Sequence, residues 1–202
     1  SFFFENFLQE ITVNVTEMFR DPSFFLSLRT NVLPMLSTYP FIKIWDAGCS
    51  TGEELFSLAI LLEEEGLLER SKIYATDINQ KVLKQAKEGI FPASNMAGYT
   101  SGYYAAGGKR EFSSYYLSNY GSVKFDTNLI RNVVFYPHNL ASDSSFNEFH
   151  LILCRNVLIY FNRELQERVY RLFDESLVSL GYLALGKKET LAMSQISSSY
   201  NH

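Results

Sequence analysis

The sequence predicts an α/β fold: an open parallel sheet with helices on both faces and a small antiparallel β insert. Short apolar runs of strand length alternate with segments of helical periodicity, the pattern of βαβ units with right-handed crossovers. Residues 91–131 break that alternation with glycine-rich turns and many tyrosines. The chain of 202 residues, 47% of them apolar and 20% charged, suits one domain with a sizeable core rather than a disordered segment.

Residues 1–13 read as a short helix with apolar positions Phe3, Phe4, Phe7, Leu8 and Ile11. Asp21-Pro22 reads as a helix start, a capping carboxylate followed by proline at the first helical position. Phe25, Leu28, Val32 and Leu36 continue that helix to a bend or end near Pro34. Residues 1–40 are therefore expected to be linker helices, and 41–202 the main domain. Within it, 41–46 predicts a strand, 47–52 a turn, and 53–65 a helix with Leu55, Leu58, Ala59 and Leu62 on its apolar face. A strand over 72–76 ends in Asp77, and a helix carrying Val82, Leu83 and Ala86 stops at Gly89. The stretch 91–131 reads as an insert on the sheet's edge, with hairpin arms at 113–118 and 122–125. Strands are then expected over 133–136, 149–154 and 182–185, and an amphipathic helix over 163–180.

Lys plus Arg number 18 against 22 Asp plus Glu, a net charge of −4, which argues against nucleic acid. Lys109, Arg110, Lys124 and Arg131 are too thinly spread among tyrosines to track a phosphate backbone. Two cysteines, Cys49 and Cys154, make neither a disulfide framework nor a CxxC metal site. No apolar run suffices to cross a bilayer, and residues 1–5 lack a basic leader, so the expectation is a cytoplasmic protein without membrane insertion. Nothing in the sequence demands more than a monomer.

In an open parallel sheet, ligands bind beyond the carboxyl ends of the strands, which selects the loops 46–54, 77–79, 136–142 and 154–161. The first holds Gly48 and Gly52 in a G-x-x-x-G spacing, without the G-x-G-x-x-G phosphate fingerprint of the oxidoreductases. Glu53 and Glu54 open the following helix, where a phosphate would be repelled and a cationic ligand welcomed; complementing the helix dipole is their bland alternative. Asp77 is suited to accept both ribose hydroxyls of an adenosine, its alternative being to cap the next helix. Asn139 is a candidate for the adenine edge or an ordinary loop asparagine bonded to its own backbone. His138 reads as a structural loop histidine and Cys154 as a buried small residue. Asn156 is a plausible ligand contact. Tyr160 reads as a core aromatic of the run 159–161 or as part of the site.

The runs Asn14-x-Thr16-x-x-Phe19-Arg20, Asp46-Ala47-Gly48-Cys49-Ser50-Thr51-Gly52-Glu53-Glu54, Ala75-Thr76-Asp77-Ile78 and Cys154-Arg155-Asn156-Val157-Leu158-Ile159-Tyr160-Phe161 resemble the CheR family over about 11–189. These are chemotaxis receptor methyltransferases that use S-adenosylmethionine to esterify receptor glutamates. The resemblance implies a Rossmann-like class I methyltransferase sheet, S-adenosylmethionine as cofactor with S-adenosylhomocysteine as product, no metal, and the cytoplasmic helical region of chemotaxis receptors as partner. It implies cofactor contacts at Asn14, Thr16, Arg20, Ala47, Glu53, Asp77, Asn139, Leu140, Asn156 and Val157, with Arg20 and Tyr160 beside the transferable methyl. The pattern departs in three places: little more than a linker helix precedes Asn14 where the family carries a basic helical domain, the turn 119–122 is short for receptor-peptide tethering, and Lys187-Lys188-Glu189 replaces a His-Ser-Glu. The terminal hairpin of the fold is not evident. An S-adenosylmethionine-binding signalling or adaptor module, and a methyltransferase acting on a different protein, are the alternatives.

Overall fold

The computed structural model describes residues 16–192 and 194–200; the helix expected over 1–13 lies outside them. Five parallel strands form the main sheet: β1 (Ile42–Ala47), β2 (Ser71–Asp77), β6 (Val133–Pro137), β7 (Phe149–Cys154) and β8 (Leu177–Leu185), in the order β6-β2-β1-β7-β8. The insert contributes a second, antiparallel sheet of β3 (Ile90–Pro92), β4 (Tyr116–Asn119) and β5 (Ser122–Phe125). β1 is buried on both faces because its residues alternate between two cores. Ile42 and Ile44 join a core with Ile73, Leu151 and Leu153, while Trp45 and Ala47 join one with Ile152 and Cys154. A strand covered on both sides reads as a continuous apolar run, which is why 41–46 stands out in the sequence.

Helices close both faces. On the first lie α3 (Glu53–Glu64), buried from Leu55 to Leu62, and α4 (Gln80–Glu88), which starts at an Asn79 cap and stops at Gly89 in the left-handed region. On the second, α6 (Arg163–Ser176) buries Val169, Leu172 and Phe173 and starts at Asn162, whose side chain accepts the Leu165 N–H at 2.9 Å. Before the sheet come α1 (Pro22–Ser27), a π-helical turn over Leu28–Val32 and α2 (Leu33–Leu36). The widened turn falls directly before Pro34, where the proline cannot supply a helical N–H; this is the bend expected there.

Three elements differ from expectation. Asp21 occupies the cap position of α1 but makes no capping bond; its carboxylate is spent on Arg155 and Lys187. The helix of 163–180 ends at Ser176, and the strand begins at Leu177, not at Tyr182. The chain irregularity between Leu177 and Tyr182 exposes Leu180, at 87%, with a positive φ of 64°. The insert is not an edge appendage. It contains α5 (Met96–Ala105), hidden in the sequence by Gly98 and Gly102, and packs over α3: Phe56 lies 5.6 Å from Phe91 and 5.3 Å from Phe125, centroid to centroid.

The acids Glu63–Glu65 close α3 where a helix dipole disfavours negative charge, and the insert and the α1 region supply the compensation. Glu64, its side chain fully covered, pairs with Arg29 at 2.6 Å and accepts from Lys109 N–H at 2.9 Å, from Tyr115 Oη at 3.0 Å and from Tyr103 Oη. Burial pushes its carboxyl up, but the bonds from Tyr103, Arg29, Lys109 and Tyr115 outweigh it and hold it below the usual range. Burial, then the bond to Glu64, pushes Tyr103 up to about 12. Glu64→Ala is expected to cost about 3 kcal/mol or more in urea unfolding, because it leaves the Arg29 guanidinium and two tyrosine hydroxyls short of a partner. An unfolding midpoint equal to the parent's would contradict this.

Candidate functional site

From β1 the chain steps outward to β2 and β6, then crosses back to β7 and β8, so the strand order reverses between β1 and β7. At such a switch point the loops leaving the two strands diverge and open a crevice. The β1 loop is bent tightly. Gly48 has φ 85°, its N–H and that of Cys49 donate to Thr76 O at 2.8 and 2.9 Å, and a Cβ on it would sit 2.6 Å from Val157 Cγ2. Only glycine lets the end of β1, with Ala47, lie directly against Val157 of the β7 loop.

That second loop is held by one carboxylate. Glu189 accepts the N–H groups of Asn156 (2.9 Å), Val157 (2.9 Å), Leu158 (2.8 Å) and Gly186 (2.6 Å). Ionised carboxylates accept several backbone donors at once, and here they fix Asn156 in the left-handed region at φ 62°. Tyr160 follows on a short 3-10 turn and is 52% exposed, so it is not a core aromatic.

Asp77 closes β2. Its Oδ2 accepts from Ser50 N–H at 3.1 Å and its Oδ1 from Asn79 N–H at 2.9 Å, which ties the β1 and β2 loops together. Capping of α4 belongs to Asn79, which accepts from Lys81 N–H, and not to Asp77. His138 N–H donates to Asp77 O at 3.2 Å and brings in the β6 loop. His138 is buried against Trp45, as a structural histidine should be. Asn139 forms an Asx turn, its Oδ1 accepting from Ala141 N–H at 2.9 Å, and Leu140 is buried with Ala47 and Cys154. Burial pushes the thiols of Cys49 and Cys154 well up, which suits packing and not nucleophilic chemistry.

The two acids that open α3 have different work. Glu53 is buried and accepts from Thr51 Oγ1 at 2.6 Å, and the hydroxyls of Thr16 and of Tyr99 of α5 lie near enough to favour its ionised form. Glu54 pairs with Arg155 at 2.5 Å; burial raises its carboxyl, and the charges of Arg155 and Arg20 only partly oppose that. Glu54 is therefore not available to a ligand as the paired acids suggested. Of the expected residues, the structure gathers Thr16, Arg20, Ala47, Glu53, Asp77, Asn139, Leu140, Asn156, Val157 and Tyr160 on loops at the carboxyl ends of the strands or on the segment before α1. Asn14 lies outside the described residues.

Sequence reading missed Tyr99, Glu189 and above all Asp46. Asp46 is 1% exposed inside β1, and its Oδ2 has no partner among the described residues; nor has the buried Ser50 Oγ. Burial, with Glu54 and Asp77 nearby, raises the Asp46 carboxyl well above the usual range, and Arg155 only partly opposes. Burial likewise raises Glu53 and Asp77. An acid within an otherwise apolar strand was the available signal.

Residues 14–201 match the family described as CheR methyltransferase, SAM binding domain. The chain belongs to the CheR methyltransferase family. The Pseudomonas putida protein named Cher3 is 54% identical over 194 residues, 96% of this chain and 71% of that one. The chemotaxis protein methyltransferase 1 of Vibrio cholerae is 36% identical, with coverages of 90% and 66%. A 104.1 kDa Rhodobacter capsulatus protein is 32% identical, and the chain spans 20% of it. The solved DszA carbon methyltransferase shares the fold at TM-score 0.50 and 18% identity, over 81% of this chain and 34% of that one. Among the described residues no helix is long and apolar enough to cross a membrane, and no group of three or more His, Cys, Asp or Glu is placed to hold a metal.

The donor set fits S-adenosylmethionine. Partnerless oxygens on Asp46 and Ser50 and the carboxylates of Glu53 and Asp77 suit ammonium, sulfonium and ribose hydroxyls, whereas the nearby Arg155 is already matched by Glu54 and Asp21. Because folding raises Asp46, Glu53 and Asp77 above their unfolded values, the folded state binds more protons than the unfolded one. The resulting destabilisation is absent below the unfolded values and grows as pH rises through the raised ones. Asp46→Asn is thus expected to raise the melting temperature of the ligand-free protein at neutral pH and to lose that advantage toward pH ~4. A pH-independent difference between the two proteins would refute the assignment.

Proposed function

We propose that the chain transfers a methyl group from S-adenosylmethionine to glutamate carboxylates of chemotaxis receptors, forming methyl esters. The observation that supports it most is the acidic, cation-matched lining of the switch-point crevice, joined to a family whose members are named chemotaxis protein methyltransferases. Asn14, Thr16, Arg20, Ala47, Glu53, Asp77, Asn139, Leu140, Asn156 and Val157 would hold the cofactor, with Asp77 taking the ribose hydroxyls. When bound, the cofactor supplies an electrophilic methyl on a cationic sulfur.

The acceptor needs little activation. A glutamate side chain has an ordinary pKa of about 4.3 and is already the nucleophile at neutral pH, so a general base is superfluous. Opposite charges shrink as the methyl moves, and a strongly polar pocket would stabilise the ground state more than the transition state. The chain's contribution is therefore alignment and exclusion of water. Arg20 orients the incoming carboxylate by a forked contact, and the Tyr160 hydroxyl donates to one of its oxygens. The buried Cys49 and Cys154 take no part.

Titration with S-adenosylhomocysteine is expected to give saturable binding, and labelled cofactor with receptor-bearing membranes to give base-labile volatile counts. Arg20→Ala and Tyr160→Phe are each expected to leave S-adenosylhomocysteine binding largely intact and to lower turnover about tenfold or more. Parent-like turnover in either variant would remove that residue's role. Binding of a phosphate-bearing nucleotide in place of the adenosyl ligand would remove the function.

A further inference from the structure

Arg20 lies between two residues in a backbone conformation that neither favours: Phe19 at φ 52° and Asp21 at φ 59°. Non-glycine residues persist in the left-handed region only when their surroundings over-determine them. Phe19 is over-determined by its N–H, which donates to Ser57 Oγ at 2.8 Å, and by its ring, 5.2 Å from Phe25 and 5.3 Å from Tyr103. Asp21 is held differently, by charge. Its Oδ2 accepts from Arg155 Nη2 at 2.9 Å, and its Oδ1 pairs with Lys187 Nζ at 2.7 Å.

Arg155 is the first residue after β7, and its side chain is 1% exposed. Besides Asp21 it reaches the carbonyl oxygen of Arg20 itself at 3.2 Å and Glu54 at 2.5 Å, and its guanidinium lies 4.0 Å above the Phe24 ring. A planar fork in such a setting fixes direction as well as distance, which a lysine ammonium does not. The bonds therefore join three separate pieces: the turn that bears Arg20, the first turn of α3 that bears Glu53, and the β7 loop that bears Asn156. Lys187, 68% exposed, closes the same turn from the β8 side.

We propose that Arg155, assisted by Lys187, is a positioning residue for the methyl-transfer reaction: it clamps the Phe19–Asp21 turn so that the Arg20 guanidinium is aimed at the acceptor carboxylate. The inference rests on the reading of Arg20 as the acceptor-orienting group. Arg155 acts through Arg20 and touches neither acceptor nor methyl. A purely structural staple would instead weaken folding and affect every step alike.

The test is a double-mutant cycle on the full chain, with turnover, S-adenosylhomocysteine affinity and melting temperature read for each protein. Arg155→Lys is expected to lower kcat about tenfold while changing S-adenosylhomocysteine affinity less than about threefold, and to change kcat less than about twofold when Arg20 is already alanine. Lys187→Ala, at an exposed position that does not endanger folding, is expected to show the same dependence on Arg20 with a smaller drop. Equal factors with and without Arg20 would overturn the clamp alone, as would parent-like kcat in both Arg155→Lys and Lys187→Ala. Parent-like turnover of Arg20→Ala would instead overturn the reading of Arg20, and the clamp with it. If Arg155→Lys fails to fold, the Lys187→Ala cycle decides.

Discussion

Backbone N–H groups in a partly buried loop must find acceptors, and the loop after β7 has no strand partner to supply them. Glu189 supplies three of them, taking the N–H groups of 156, 157 and 158, together with that of 186 after β8, into one carboxylate. With the loop tied down, Val157 lies against Gly48, Asn156 keeps its left-handed backbone, and Arg155 points back toward Asp21 and Glu54. Loosening that carboxylate would free both walls of the crevice together, because the β1 loop rests on Val157 and the Arg20 turn rests on Arg155. The Lys187-Lys188-Glu189 run thus has a physical division of labour: the acid holds the loop, and Lys187 holds Asp21.

Electrostatics at the switch point follow from what has been neutralised and what has not. Arg155 is the buried cation of the region, and Glu54 and Asp21 satisfy it. Burial pushes Asp46, Glu53 and Asp77 upward, as it does the paired Glu54, an unfavourable state that a cationic ligand would relieve. Destabilised acids lining a concave site are a common cost of preorganised binding. A surface hollow of about 630 Å³ beside α6, lined by Asp143, Glu164, Arg168 and Arg171 among others, contains none of these groups.

Much of this was legible in the residues. β1 and β7 read correctly because burial on both faces leaves continuous apolar runs, and α4 read correctly because its Gly89 stop has a local cause. Elements decided by distant contacts did not. α5 is glycine-rich and gains its stability from Tyr99 and Tyr103, whose partners Glu53 and Glu64 lie on α3. α6 ends at Ser176, five residues before Gly181, where Ser176 bonds to Ser145 and Leu177 pairs with Phe149 of β7. Asp21 reads as a cap until two distant cations compete for it.

What the sequence alone determined was the alternation of strand and helix, the tight β1 turn and the presence of acids at strand ends, because periodicity, glycine and residue charge are properties of neighbours along the chain. The tertiary structure decided which acid faces which cation. Glu53 and Glu54 are adjacent in sequence yet serve Thr16 and Tyr99 in one case and Arg155 in the other. That division depends on where β7 and the insert bring their side chains, and pairing across such separations is set by packing and desolvation, which no local pattern encodes.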